Sequence, residues 1–229
     1  MTGRRARQVA LLVWPIVRLL PWMPVAVAAV LGFLGLLPAL LGAPAPAAPI
    51  WALRIAAVLL GAAASLALLD PMALLSVTPT PRWLRQWLRL FVALLPPVAV
   101  WLGFFVLIQQ ALPPARADLP LRELATEAAV CCLTGFAGAA VAARAAGSAE
   151  SAGAARLAGP ATQGAMIVGT FFLADRHSPW VLPSAETWAA AQRHWAWALP
   201  ILVLTLACAN RDTWPVCRKL ALHPKWIRL

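Results

Sequence analysis

Few side chains in this sequence are placed to do covalent chemistry. The eight Asp and Glu residues are scattered along 229 positions, whereas a membrane enzyme that works on lipid usually clusters carboxylates to hold a metal and a phosphate. His177, His194 and His223 are far apart and lack metal-ligand spacing. Cys131, Cys132, Cys208 and Cys217 form no CxxC pair, and the adjacent Cys131 and Cys132 lie in an apolar run as small hydrophobic fillers. The chain has no GxxxxGK[ST] phosphate loop, no GxSxG and no HExxH. The expectation is a chain with no catalytic residue, no bound cofactor and no metal, hence not an enzyme.

Two features remain that could carry function without catalysis. Glu127 is the one acid inside a long apolar stretch, and an intramembrane acid is a functional candidate by default. It falls about one turn from the outer start of its helix, where the dipole favours a negative charge and water is close. Arg54 and Arg122 are its candidate partners. The second feature is the segment 70–89, DPMALLSVTPTPRWLRQWLR. Thr78-Pro79-Thr80-Pro81 makes a stiff extended or turn element, because proline fixes φ and restricts the residue before it. Thr80 can cap a helix with Pro81 at its first position. In that helix Trp83, Leu84, Trp87, Leu88 and Phe91 share one side, and Arg82, Arg85, Gln86 and Arg89 the other. Such a helix either anchors to anionic lipid or docks a cytoplasmic partner, and the two uses are compatible.

The elements that must position these residues are membrane helices. Hydrophobic residues make up 62% of the chain and charged ones only 12%, where a soluble domain has about a quarter charged. Apolar runs at 22–41, 50–69, about 90–108, 124–143, about 158–174 and about 194–209 approach the roughly 20 residues that a perpendicular span requires. Residues 1–21 read as a basic interfacial helix rather than a cleaved signal, with Trp14 and Trp22 at headgroup level and Arg18 reaching for phosphate. Residues 210–229 form a basic tail. The piece 175–193 is too polar to span, yet its Trp180, Val181, Leu182 and Trp188 suit an interfacial or half-inserted position. Ala128, Cys132, Gly135 and Ala139 make a small-residue face on the fourth helix, for packing within the chain or against a second subunit.

The net charge of +11 does not indicate nucleic acid, because the charges sit in the gaps between apolar runs. With both ends inside and six crossings, 14 of the 19 Lys and Arg residues are cytoplasmic, and five of the eight acids lie outside. That bias orients the chain. The sequence thus reads as an all-α polytopic protein of the inner (cytoplasmic) membrane, a single transmembrane domain with the six-helix bundle at 22–209.

This layout resembles the permease subunits of ABC-2 type exporters, above all the small, Ala- and Arg-rich ones of actinobacteria. The resemblance covers nearly the whole chain. It rests on the basic N-terminal helix, six spans, a coupling helix between spans two and three, and an amphipathic extracellular piece between spans five and six. Its most specific local match is Asp70-Pro71, then Pro79-Thr80-Pro81 and the helix with Arg82, Arg85 and Arg89. The resemblance implies that Thr78, Pro79, Thr80, Pro81, Arg82, Trp83, Arg85 and Arg89 dock a separate ATPase subunit, which would hold ATP and Mg. It also implies a second permease, either a copy or a paralogue, and maps the extracellular re-entrant piece to 177–193. The rival reading is a non-transporting scaffold, accessory or immunity subunit of a larger membrane complex.

A topology reporter fused after Leu229 should read cytoplasmic, and one inserted at 116–118 should read external; reversal of either would remove the N-in, C-in arrangement.

Overall fold

The computed structural model describes residues 13–42, 47–68, 82–113, 119–145, 149–173 and 177–211. Among them the secondary structure is entirely helical. A short helical stretch at 13–19 precedes six long helices: α1 (Trp22–Leu40), α2 (Ala48–Ser65), α3 (Arg82–Ala111), α4 (Leu121–Ala145), α5 (Ala149–Phe171) and α6 (Trp188–Ala209). A 3-10 turn, Leu66–Leu68, extends α2.

Local chemistry sets several of these boundaries. Gly42, at φ +81°, ends α1 in the left-handed region that glycine enters without a Cβ clash. Pro49 opens α2, where a missing N–H is harmless. Glu123 in the first turn of α4 and Arg144 in its last both complement the helix dipole. Arg144 does a second job: its Nη1 donates to the carbonyls of Cys208 (2.7 Å), Ala209 (3.3 Å) and Arg211 (3.2 Å), capping the end of α6.

Four helices are long and apolar enough to cross a bilayer: α1, α2 with its 3-10 extension, α3 from Trp83, and α4. The described residues are thus all-helical, with four helices of the length and apolarity of membrane spans. α5 and α6 occur where spans five and six were expected but fall short of that apolarity. α5 is diluted by Gly, Ser, Thr and Gln163, and the first turns of α6 carry Gln192, Arg193 and His194. α1 is apolar all round, yet buries only the stripe Val25, Ala28, Gly32 and Leu36, as expected of a helix with lipid on its other faces.

The expectation of a coupling helix separate from span three is corrected. Residues 82–89 are the first turns of one continuous 30-residue helix, α3. The structure also shows which way its two sides face. Gln86 and Arg89 are buried, while Trp83 and Phe91 are exposed, because in lipid the polar side of a helix turns toward protein. Further along, Pro96 and Pro97 interrupt its hydrogen-bond ladder.

α2 and α4 form the centre. α4 packs on α2, α5 and α6; α1 lies across α2 and α3. The close approach depends on residues without bulk. A Cβ on Gly61 of α2 would come within 2.8 Å of the Cys132 Cα of α4, and one on Gly135 within 3.3 Å of the Gly61 carbonyl. The small-residue face of α4 is thus used inside the chain, with Cys132 and Gly135 against α2 and Ala139 fully buried. Neighbours also donate into the carbonyls of α2: Trp101 Nε1 to Leu53 (3.0 Å), Cys132 Sγ to Ala57 (3.7 Å) and Gln163 Nε2 to Val58 (3.0 Å).

Gly61→Ala should destabilise the bundle by about 1–3 kcal/mol, the range for overpacking against immovable backbone. Gly164→Ala, with nothing near its added Cβ, should be neutral or slightly stabilising. Thermal unfolding in detergent checks both.

Candidate functional site: a buried arginine clamp

Arg54 lies two turns into α2, and α4 carries Glu127 opposite it. The packing just described brings them together. Arg54 Nε donates to Glu127 Oε2 at 2.7 Å and Nη2 to Oε1 at 3.0 Å, a bidentate pair. Both residues are almost completely buried, at 4% and 2% exposure. Glu127 is therefore not near water at a helix start, as its position suggested, and Arg122, which is exposed, is not its partner.

The closure comes from the segment between α5 and α6. Residues 177–187 fold back onto the bundle, and Arg54 takes hold of their main chain. Nη1 donates to the Trp180 carbonyl at 2.9 Å and Nη2 to that of Val181 at 2.8 Å. From α6, Gln192 Nε2 donates to Glu127 Oε1 at 2.7 Å. Every guanidinium nitrogen and both carboxylate oxygens thus have partners. A void of about 10 Å³ beside the pair is at the lower limit for a single water. Arg54 therefore links α2, α4 and the returning segment in one buried contact, and Glu127 extends it to α6.

Aromatic rings complete the enclosure. Trp51, Phe171 and Trp180 stack with centroids 5.9–6.3 Å apart, and Trp195 meets Trp180 edge-on at 5.2 Å. The guanidinium sits 5.2 Å from the Trp51 ring and 5.7 Å from Trp180, within cation–π range. Trp180 Nε1 donates to Thr170 Oγ1 (2.8 Å) and Trp195 Nε1 to the Pro179 carbonyl (3.0 Å). The rings thus exclude water from the ion pair while their own polar atoms are satisfied.

Thr78, Pro79, Thr80 and Pro81 lie outside the described residues, as does the side chain of Arg82. Trp83 is exposed, Arg85 half-buried and Arg89 buried, which sets Arg89 apart from any open docking face. The tail beyond residue 211 and residues 1–12 are likewise outside the described part. Within it, Trp14 is exposed and lies 4.6 Å from the Arg18 guanidinium carbon.

Sequence reasoning offered Arg54 and Arg122 as partners of Glu127, of which the structure selects Arg54, and missed Gln192 and the carbonyls of Trp180 and Val181. Main-chain acceptors have no sequence signature. The tryptophans in an otherwise polar connection were the available signal. Among the described residues, no group of three His, Cys, Asp or Glu is placed to hold a metal. No family model matches the chain, and no curated protein or solved structure matches it.

Glu127→Ala leaves a buried guanidinium without its counter-charge and should cost about 3–5 kcal/mol. Arg54→Met with Glu127→Leu removes both charges and should recover much of that stability, yet release residues 178–181. Unfolding midpoints with amide hydrogen exchange over 177–187 separate the two effects; full protection there in the double variant would contradict the clamp.

Proposed function

We propose that this chain is the membrane-spanning permease subunit of an ATP-driven exporter of the ABC-2 type. It would sit in the cytoplasmic membrane with six spans and both ends inside, paired with a second permease and served by two separate ATPase subunits. The observation that carries this reading is the returning segment. Between its last two long helices the chain turns back onto the bundle and is held by a buried charge, where exporter permeases have an amphipathic extracellular piece. α5 and α6, less apolar than a lone span, suit a position shielded by other helices or lining a polar route.

In this reading the work of this chain is mechanical. ATP and Mg belong to the partner. Closure of the ATPases would push on residues 78–81 and on the first turns of α3. Because those turns are continuous with the span, the displacement enters the membrane without passing through a separate joint at that boundary. A helix bundle has discrete packings rather than a continuum, so the push would switch α3 against α1 and α2. The apolar cavity of about 230 Å³ between α2, α3 and α4 leaves room for such repacking.

The tagged chain, purified in mild detergent from its own host, should bring down an ATPase in stoichiometric amount, with hydrolysis stimulated by the complex. Arg82→Glu with Arg85→Glu should abolish that association, with thermal unfolding in detergent checking that the fold is kept; Arg89 is left unchanged because it is buried. A chain that comes down alone or with non-ATPase proteins would overturn the exporter reading in favour of a scaffold.

A further inference from the structure

α5 and α6 both pack on α4 and leave between them a groove of about 490 Å³, within the size range of ligand pockets. Its floor is Val130 and Thr134 of α4, and its walls include Met166 of α5 with Ala198 and Leu202 of α6. The two hydroxyls inside are already committed. Thr134 Oγ1 donates to the Val130 carbonyl at 2.8 Å, and Thr170 Oγ1 bonds within its own helix while accepting from Trp180. The interior therefore presents a hydrocarbon surface. Pro179 and Trp195, tied together by the hydrogen bond described above, stand at one end.

That end also carries His177 and His194, both exposed and both lining the groove. Neither imidazole hydrogen-bonds to another described residue, so among the described residues their ring nitrogens are the polar atoms the site offers a ligand. Arg193, also exposed, precedes His194 on the same helix. The opposite stretch runs to Leu202, about 12 Å along α6 at 1.5 Å per residue. Leu173 and Ile201 line the groove and are exposed, so it opens sideways, where a membrane protein meets lipid.

We infer that this groove binds a single-tailed amphiphile with an anionic head, its tail lying between α5 and α6 and its head hydrogen-bonded by His177 and His194. Imidazole N–H groups donate to a carboxylate or phosphate oxygen, and the sideways opening admits a tail directly from the bilayer. As a substrate site the groove rests on the exporter reading; as a binding site it does not.

The test uses the full chain in lipid nanodiscs and two photoreactive probes with the same diazirine-bearing tail, a fatty acid and a fatty alcohol. Cross-links mapped by mass spectrometry should concentrate on 166–177 and 194–202 and be competed by unlabelled fatty acid. Ala198→Trp, which fills the groove, should reduce labelling by both probes about tenfold, and His177→Ala with His194→Ala should reduce only the fatty acid, again by about tenfold, as loss of hydrogen bonds to a charged head predicts. Label spread over all lipid-facing helices, not competed in the wild type, would overturn the site whether or not the variants fold. Fatty-acid labelling undiminished in the histidine variant, or reduced equally with that of the alcohol, would overturn the anionic head. Saturable labelling without a co-purifying ATPase would sink the exporter reading and leave the site standing; an ATPase partner with non-saturable labelling would do the reverse.

Discussion

A guanidinium cannot lie inside an apolar bundle unless every one of its donors finds an acceptor and its charge finds an opposite. Arg54 imposes that requirement, and much of the architecture around it is the answer. α2 and α4 approach closely through Gly61, Cys132 and Gly135, which brings Glu127 within bidentate reach. One carboxylate still leaves donors over, and the carbonyls of Trp180 and Val181 take them. Backbone that departs from a helix inside a membrane protein needs protein partners for its polar groups. The clamp therefore satisfies two otherwise costly elements with each other.

The same economy runs through α4. One end reaches α6 through Glu127 and Gln192, and the other through Arg144 and the terminal carbonyls of α6. α6, whose first turns are too polar to resemble an ordinary span, is thus fixed at both ends by charged side chains rather than by apolar packing alone. α5, rich in glycine, approaches α2 closely enough for Gln163 to donate to the Val58 carbonyl. In both helices a glutamine is turned toward a neighbour, Gln163 to α2 and Gln192 to α4.

The helices themselves were legible in the sequence because apolar runs of bilayer length leave the chain few alternatives. All six long helices lie where runs were identified, with ends displaced by a few residues in most. α5 begins nine residues before the run at 158–174 and α6 six before that at 194–209, because Ala-rich flanks favour helix without being hydrophobic. The facing of residues 82–91 was not legible, because an amphipathic pattern gives two sides but not which one meets lipid. Only the contacts show that Gln86 and Arg89 turn inward. Arg54 and Glu127 stood out as charges in apolar surroundings. Their remaining partners did not, since carbonyls look alike in every residue and Gln192 sits among other polar side chains.

The clamp also constrains how the protein is made. Arg54 precedes Glu127 by 73 residues and the Trp180 carbonyl by 126. During synthesis α2 therefore enters the bilayer before any of its arginine's partners exist. An arginine at a helix centre costs about 2.5–3.5 kcal/mol on insertion scales, but Arg54 lies only two turns from the start of α2 and can reach back toward the headgroups in the meantime. Withdrawal of that side chain into the bundle must follow arrival of α4 and of the connection to α6. The last third of the chain thus completes a helix made in the first third.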